Sequence, residues 1–236
     1  MKVSVLIPTH RRPKLLKRAL KSIVAQTHTD LEILVYGDAC TRATEGVVNW
    51  FHDDRIRYLS GQTVLGECKV RNLLANEATS EVVCWQDDDD ISNIHRVALQ
   101  LKALKGVPFT RCGSRLLWDE KPVEFRETPK VQNHPKFVTP TTMTWRKYLV
   151  ENPYHEIMFG CDILWELEAM LKYGEGRAVP RILYYRDMAP QDRVTKVYQE
   201  LDDYEERMEW QKTKRTELTS ALKIRGFTEW PSIQTA

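Results

Sequence analysis

The chain of 236 residues is 42% hydrophobic and 29% charged, and its 35 lysines and arginines against 33 aspartates and glutamates give a net charge of +2. This composition is typical of a folded globular protein and excludes a disordered tail, a collagen-like fibre and a small disulfide-stapled domain. No stretch approaches the roughly 18 apolar residues of a membrane span, and the start is too short for a signal-peptide core. The five cysteines contain no C-x-x-C pair, which favours free thiols. We therefore expect a cytoplasmic protein without a membrane span.

Strands and helices alternate along the first half of the chain. Short apolar runs predict strands at Val3–Ile7, Leu31–Tyr36, Ile56–Leu59 and Val82–Trp85. Apolar residues at helical spacing predict helices from Pro13 onward and over Thr44–Phe51, Lys69–Ala78 and Asn93–Lys105. Such alternation predicts an α/β fold with a mostly parallel sheet that helices cover on both faces.

The second half is less regular. Short β-like pieces are predicted at Arg111–Trp118, Thr141–Trp145 and Ala178–Tyr185, and a helix from Asp162 to about Tyr173. We interpret residues 106–189 as an irregular extension of the sheet begun by residues 1–105, so that 1–189 form one domain. From Pro190 the apolar spacing indicates one or two helices, and residues 190–236 are expected to pack on the body or on a second subunit.

Four consecutive aspartates, Asp87–Asp90, directly follow the predicted strand Val82–Trp85. Neighbouring carboxylates repel one another and are costly to bury, so we expect a positive partner there. If the strand continued, alternate aspartates would share one side of it. Hard oxygen ligands suit Mg²⁺ or Mn²⁺, which bridge to substrate phosphates. In such sheets ligands bind at the carboxyl ends of the strands, where Thr9 and Asp38 also lie.

Several segments, in order, resemble the family 2 glycosyltransferases, which carry the GT-A fold. V-S-V-L-I-P-T-H at Val3–His10 resembles V-S-V-I-I-P-T-Y of the family, and L-E-I-L-V-Y-G-D at Leu31–Asp38 resembles F-E-I-I-V-V-D-D. Gly66 with Val70–Asn72 is similar to G-x-x-x-A-R-N, and Trp85–Asp90 to the F-L-D-x-D-D that contains the D-x-D motif. Phe159–Glu166 is similar to G-E-D-x-D-L-W.

The resemblance implies a fold, a reaction and a set of site residues. The implied fold is a GT-A sheet with an acceptor-side half at 106–189. The implied reaction moves a sugar from a nucleotide-diphosphate sugar, with a UDP-sugar favoured, to an acceptor hydroxyl by direct displacement with inversion. The implied nucleotide-sugar contacts are Pro8, Thr9, His10, Arg11, Asp38, Arg71, Asp87, Asp88 and Asp89.

More specific roles also follow from the resemblance. Asp88 would accept from ribose hydroxyls, Asp89 would hold Mn²⁺ or Mg²⁺, and Asp87 would be a second or water-mediated ligand. Asp162 would be the general base. A Q-x-x-R-W motif, the mark of processive synthases, is absent from the sequence, so we expect single additions.

The chain departs from the family pattern at Gly37, Cys40, Gln86 and Cys161. A nucleotidyltransferase on a related fold, a two-metal nuclease or phosphatase, and a non-catalytic nucleotide-sugar-binding protein stay open as alternatives. The acceptor is open too: a glycan, a lipid-linked sugar, a protein, a small molecule or a modified DNA base. A homodimer through the C-terminal helices is a further hypothesis.

Overall fold

Eight strands form one sheet in the computed structural model, which describes residues 1–117, 139–156, 161–187 and 204–227. The strands are β1 (Val3–Thr9), β2 (Leu31–Asp38), β3 (Ile56–Gly61), β4 (Val82–Trp85), β5 (Ile91–Ser92), β6 (Phe109–Leu117), β7 (Met143–Trp145) and β8 (Arg177–Asp187). Their order across the sheet is β3-β2-β1-β4-β7-β6-β8-β5.

Seven helices accompany the sheet within the described ranges. They are α1 (Pro13–Val24), α2 (Arg42–Asn49), α3 (Glu67–Glu77), α4 (Arg96–Ala103), α5 (Arg146–Glu151), α6 (Cys161–Tyr173) and α7 (Tyr204–Ile224). A short 3₁₀ turn, Thr139–Thr141, precedes β7. None of the helices in this part of the chain is both long enough and apolar enough to cross a membrane.

The sheet is parallel in the first half of the chain and mixed in the second. β1 pairs in parallel with β2 and β4, and β2 pairs in parallel with β3. β7 runs antiparallel to β4 and β6, while β6 and β8 are parallel. The α/β class and the continuation of the sheet into the second half are thus confirmed. The proposed domain boundary at 189 lies outside the described residues and stays a prediction.

Two cores lie on opposite faces of the sheet because successive strand residues point to opposite sides. On one face Val5, Ile33 and Cys84 pack with α1, α2 and α4. On the other face Leu6 and Leu34 pack with α3, α5, α6 and α7. Burial of one such side chain stabilises the fold by about 1.5–3 kcal/mol. Helix α7 joins this second core, so packing on the body is confirmed, whereas a homodimer stays a prediction.

The short elements β5 and α5 were not predicted, and helix α4 begins later than expected. β5 has two residues and α5 has six, which is too short for a clear apolar period. Helix α4 begins at Arg96 rather than Asn93 because the Asn93 side chain accepts a hydrogen bond from the backbone N–H of His95 at 2.9 Å. This local turn competes with the helix. Of the predicted strand Arg111–Trp118, Trp118 lies outside the described residues.

Candidate active site

The carboxyl ends of β1, β2, β4 and β8 enclose a cavity of about 250 Å³. Its walls are mostly charged or polar. They comprise Pro8, Thr9, His10, Arg12, Asp38, Glu67, Val70, Asp87, Asp88, Asp89, Asp90, Arg186 and Asp187. Most of the residues that the resemblance singled out therefore meet in one place. Arg11, Arg71 and Asp162 lie outside this lining.

The four aspartates form a turn between β4 and β5. The backbone N–H of Asp90 bonds the carbonyl of Asp87 at 3.4 Å, so the strand ends at Trp85 and the expected alternation of sides is wrong here. Carboxylate oxygens of Asp87, Asp89 and Asp90 instead lie within 4.8 Å of one another. This acidic turn, residues 87–90, offers three hard oxygen ligands to one divalent cation. The predicted ligands Asp89 and Asp87 are together, and Asp90 joins them.

Asp88 is not one of the three carboxylates in this cluster. Its carboxylate is 1% exposed and accepts hydrogen bonds from Thr9 Oγ1 at 2.6 Å and Arg12 Nε at 3.2 Å. A further Arg12 nitrogen, Nη2, pairs with the other carboxylate oxygen. Burial raises the pKa of Asp88 to about 7, although the charge of Arg12 opposes the shift. Thr9 and Asp88, predicted to contact the nucleotide, are thus bonded to each other.

Arg12, not Arg11, carries positive charge into the cavity. Arg12 Nη1 donates to Asp89 Oδ2 at 2.8 Å in addition to its bonds with Asp88. Arg11 is exposed and donates from Nε to the carbonyl of Ala39 at 3.1 Å. Arg11 also adopts a φ of +54°, a left-handed conformation that reverses the chain between β1 and α1. The helix start at Pro13 was the signal that could have identified Arg12, since it places the preceding residue beside the strand end.

Asp38 organises the loop before α3. Its carboxylate accepts from the backbone N–H groups of Leu65 at 2.7 Å and Gly66 at 2.9 Å. Gly66 has a φ of +87°, which glycine adopts without strain. His10, at the end of β1, contacts the carbonyl of Asp38 through Nδ1 at 2.6 Å. Asp38, at the end of β2, therefore connects the loop that follows β1 with the loop that follows β3.

Arg71 is a buried cation behind the acidic turn, with a side chain only 2% exposed. It donates from Nε to Glu67 Oε1 and from Nη2 to Asp87 Oδ1, both at 2.9 Å. Burial disfavours its charge, but the carboxylates of Glu67 and Asp87 prevail and raise the pKa of Arg71 well above its ordinary value. Arg71 thus reaches the cavity through its partners.

Asp162 lies in the first turn of α6, where its Oδ1 accepts from the backbone N–H of Ile163 at 2.8 Å. Burial is the main cause that raises the pKa of Glu67, and the negative charge of Asp162 adds to it. The same charge contributes to the raised pKa of Arg71. Asp162 therefore lies within electrostatic reach of the cavity wall, and its role as a base stays a prediction.

Asp187 is a cavity residue without a local sequence signal. The backbone N–H of Asp187 donates to Asp90 Oδ1 at 2.9 Å, and Arg18 Nη2 donates to the carbonyl of Asp89 at 2.5 Å and also pairs with Asp187. Asp187 and its neighbour Arg186 are distant from the acidic turn in sequence, and the pairing of β5 with β8 brings them there. Only the topology could have identified Asp187, whereas Arg186 directly follows the predicted strand Ala178–Tyr185, and the sequence alone suggests that it could reach a diphosphate.

Comparisons with known proteins point to sugar transfer. The family model of Glycosyl transferase family 2 matches residues 4–168. The chain is 40% identical over 92 residues to the GalNAc(5)-diNAcBac-PP-undecaprenol beta-1,3-glucosyltransferase of Campylobacter jejuni, with 38% of this chain and 30% of that protein covered. It is 26% identical over 102 residues to the Escherichia coli UDP-Glc:alpha-D-GlcNAc-diphosphoundecaprenol beta-1,3-glucosyltransferase WfgD, with 43% and 40% covered. The matched part thus spans 30% to 40% of the length of these two relatives.

Solved structures share the fold. TarS of S. aureus in complex with UDP-GlcNAc has a TM-score of 0.72 at 21% identity, with 91% of this chain and 66% of that chain covered. The mannosyltransferase PcManGT from Pyrobaculum calidifontis, in complex with GDP-Man and Mn²⁺, has a TM-score of 0.65 at 20% identity, with 80% and 57% covered. The predicted GT-A fold is thereby confirmed.

Proposed function

Because the chain belongs to glycosyl transferase family 2, we propose that it is an inverting, metal-dependent glycosyltransferase. In this proposal a sugar moves from a nucleotide-diphosphate sugar to an acceptor hydroxyl in a single displacement. A UDP-sugar is the favoured donor, since TarS was solved with UDP-GlcNAc and WfgD is named for UDP-Glc. The β linkages in the names of both curated relatives fit inversion of an α-linked nucleotide sugar.

The observation that carries the proposal is the convergence of three carboxylates in a cavity at the carboxyl ends of the strands. Asp87, Asp89 and Asp90 offer oxygens within 4.8 Å of one another, a donor set that fits Mn²⁺ or Mg²⁺. When bound, such a cation stabilises the negative charge of a departing diphosphate by several kcal/mol.

In this proposal different residues of the protein bind different parts of the donor. Thr9 and Asp38, at the ends of β1 and β2, are proposed to contact the nucleoside, and Asp88 its ribose. Arg12 and Arg186 line the same cavity and supply positive charge for a diphosphate. The cavity thus contains acceptors suited to hydroxyl groups and donors suited to phosphate oxygens.

Asp162 is the proposed general base. An acceptor hydroxyl is a weak nucleophile and loses its proton as the new bond forms, which requires a carboxylate within hydrogen-bond reach. Asp162 fits because it lies at a helix start and its charge acts on Glu67, which lines the cavity, and on Arg71, which pairs with Glu67 and Asp87. One base with direct displacement needs no covalent glycosyl intermediate.

The proposal is tested with a panel of nucleotide sugars and Mn²⁺, offered with acceptors that include diphosphoundecaprenol-linked sugars. We expect release of a nucleoside diphosphate and a product whose mass is increased by one sugar. Asp89→Ala should abolish Mn²⁺-dependent nucleotide binding, whereas Asp54→Ala, which removes an exposed acid after α2, should leave it intact. Pyrophosphate release would indicate a nucleotidyltransferase, and binding without turnover a non-catalytic protein.

A further inference from the structure

Gln86 is a polar residue where the family pattern has an apolar one, and the structure shows its side chain fully buried at the start of the acidic turn. Its amide nitrogen donates to the carbonyl of Asp87 at 2.9 Å and to the carbonyl of Asp90 at 3.0 Å. Both hydrogens of one amide group therefore bind the two ends of the same turn. A leucine of similar size could make neither bond.

The amide oxygen of Gln86 is also held by two hydrogen bonds. Gln86 Oε1 accepts from Ser92 Oγ at 2.6 Å and from Arg96 Nη1 at 3.0 Å. Its backbone N–H donates to the carbonyl of Leu6 at 3.1 Å, which connects the turn to β1. The side chain uses all of its donor and acceptor capacity, so its orientation is determined on every side.

Arg96 supports both Gln86 and the residues next to it. Its guanidinium is fully buried, donates from Nη2 to the carbonyl of Trp85 at 2.7 Å, and lies 4.6 Å from the ring centre of Tyr184. The hydroxyl of Tyr184 in turn accepts from the backbone N–H of Asp87 at 3.1 Å. Asp87 is thereby held through its N–H and its carbonyl at once.

We infer that Gln86 is a positioning residue that holds the acidic turn in the shape required to bind a divalent cation. The inference rests on the proposed function, because it concerns the same cation site. Three carboxylates within 4.8 Å repel one another, and an unbraced turn would relax by spreading them apart. Cation binding would then have to bring the carboxylates together again. The free energy needed for this would lower the affinity for the cation.

Gln100 provides a matched control. It is equally buried and also binds Arg96, accepting from Nε at 2.9 Å. Its amide nitrogen donates to the carbonyls of Thr110 at 3.3 Å and Thr141 at 2.7 Å. Neither of these residues belongs to the acidic turn. Gln100→Leu and Gln86→Leu therefore each remove a hydrogen-bond acceptor from Arg96. Only Gln86→Leu also removes the hydrogen bonds to the acidic turn.

The test is titration of Mn²⁺ into the full chain saturated with UDP, followed by calorimetry and by the electron paramagnetic resonance of free Mn²⁺. Loss of two buried hydrogen bonds at the turn should weaken Mn²⁺ binding by roughly tenfold or more in Gln86→Leu. Gln100→Leu should change it by less than about threefold, although both variants lose stability in urea. Gln86→Glu is the second variant, because it keeps the acceptor for Arg96 and loses both donors to the turn.

Equal Mn²⁺ affinities in wild type, Gln86→Leu and Gln86→Glu would overturn the inference, as would an equal loss in Gln100→Leu. If Gln86→Leu does not fold, the Gln86→Glu comparison decides alone. Failure of the wild type to bind Mn²⁺ in the presence of any nucleotide of the panel would instead contradict the proposed function. The two failures are therefore distinguishable in one set of titrations.

Discussion

At the scale of single residues, the charge of the acidic turn is partly balanced by arginines of the protein itself. Arg12 pairs with Asp88 and Asp89, and Arg71 pairs with Asp87. The sequence predicts a positively charged partner beside the four aspartates. Within the described residues, buried or half-buried guanidinium groups provide part of this positive charge. A cation or a phosphate that enters the cavity therefore meets an ordered set of charges, and this preorganisation reduces the cost of binding.

Asp162→Asn tests the proposed base. The amide keeps the size of the side chain and cannot accept a proton, so we expect kcat to fall by about 10²–10⁴-fold while donor affinity is unchanged. Single-turnover assays and nucleotide titrations measure the two effects separately. Glu168→Gln is the control, since Glu168 lies on the same helix and pairs with His155. Normal turnover in Asp162→Asn would assign proton removal to another group.

At the scale of elements, α7 is held to the body by a few apolar contacts. Leu222 is 5% exposed and lies in the core that α6 shares, whereas Ile224 in the same helix is 87% exposed. Leu222→Ala should therefore lower the free energy of unfolding by about 2–5 kcal/mol, and Ile224→Ala should change it by less than about 0.5 kcal/mol. Urea denaturation of the two variants measures this difference, and equal stabilities would contradict the assigned packing.

The early strands could be predicted because each one is a short, buried apolar run. Val82–Trp85 was predicted with the bounds that the structure shows, and the helices of the first half came within a few residues of theirs. The acidic turn could not be predicted in shape, because its conformation depends on the side chain of Gln86 and on the ring of Tyr184. Individual side-chain hydrogen bonds of this kind produce no periodic pattern in a sequence.

At the scale of the whole molecule, a buried ion pair makes stability depend on pH. Arg111 Nε donates to Glu166 Oε1 at 2.8 Å, and both side chains are buried. Burial raises the pKa of Glu166 from 4.5 to about 7, although Arg111 opposes the shift. Between these values the folded protein holds a proton that the unfolded chain has released. Stability therefore falls as pH rises through this range and changes no further above it.

Glu166→Gln should remove this dependence, because an amide does not titrate. The free energy of unfolding of the variant minus that of the wild type should therefore increase by about 3 kcal/mol as the pH rises from about 4.5 to about 8. Urea unfolding of both proteins at several pH values in this range measures the sign and the size of this stability difference. The pKa of Asp88 is also raised, and its contribution cancels in the comparison because both proteins contain it. Parallel stability curves would show that Glu166 titrates at its ordinary pKa.

The late position of β8 in the chain affects how the protein is made. A ribosome delivers residues 1–103 first, and these contain β1–β5 and α1–α4. The backbone of Asp187, which donates to Asp90, is added only after another 83 residues. Until translation reaches β8, the nascent chain contains Arg12 and Arg71 but lacks the backbone N–H that donates to Asp90 Oδ1. Unfinished polypeptides therefore lack one wall of the binding cleft.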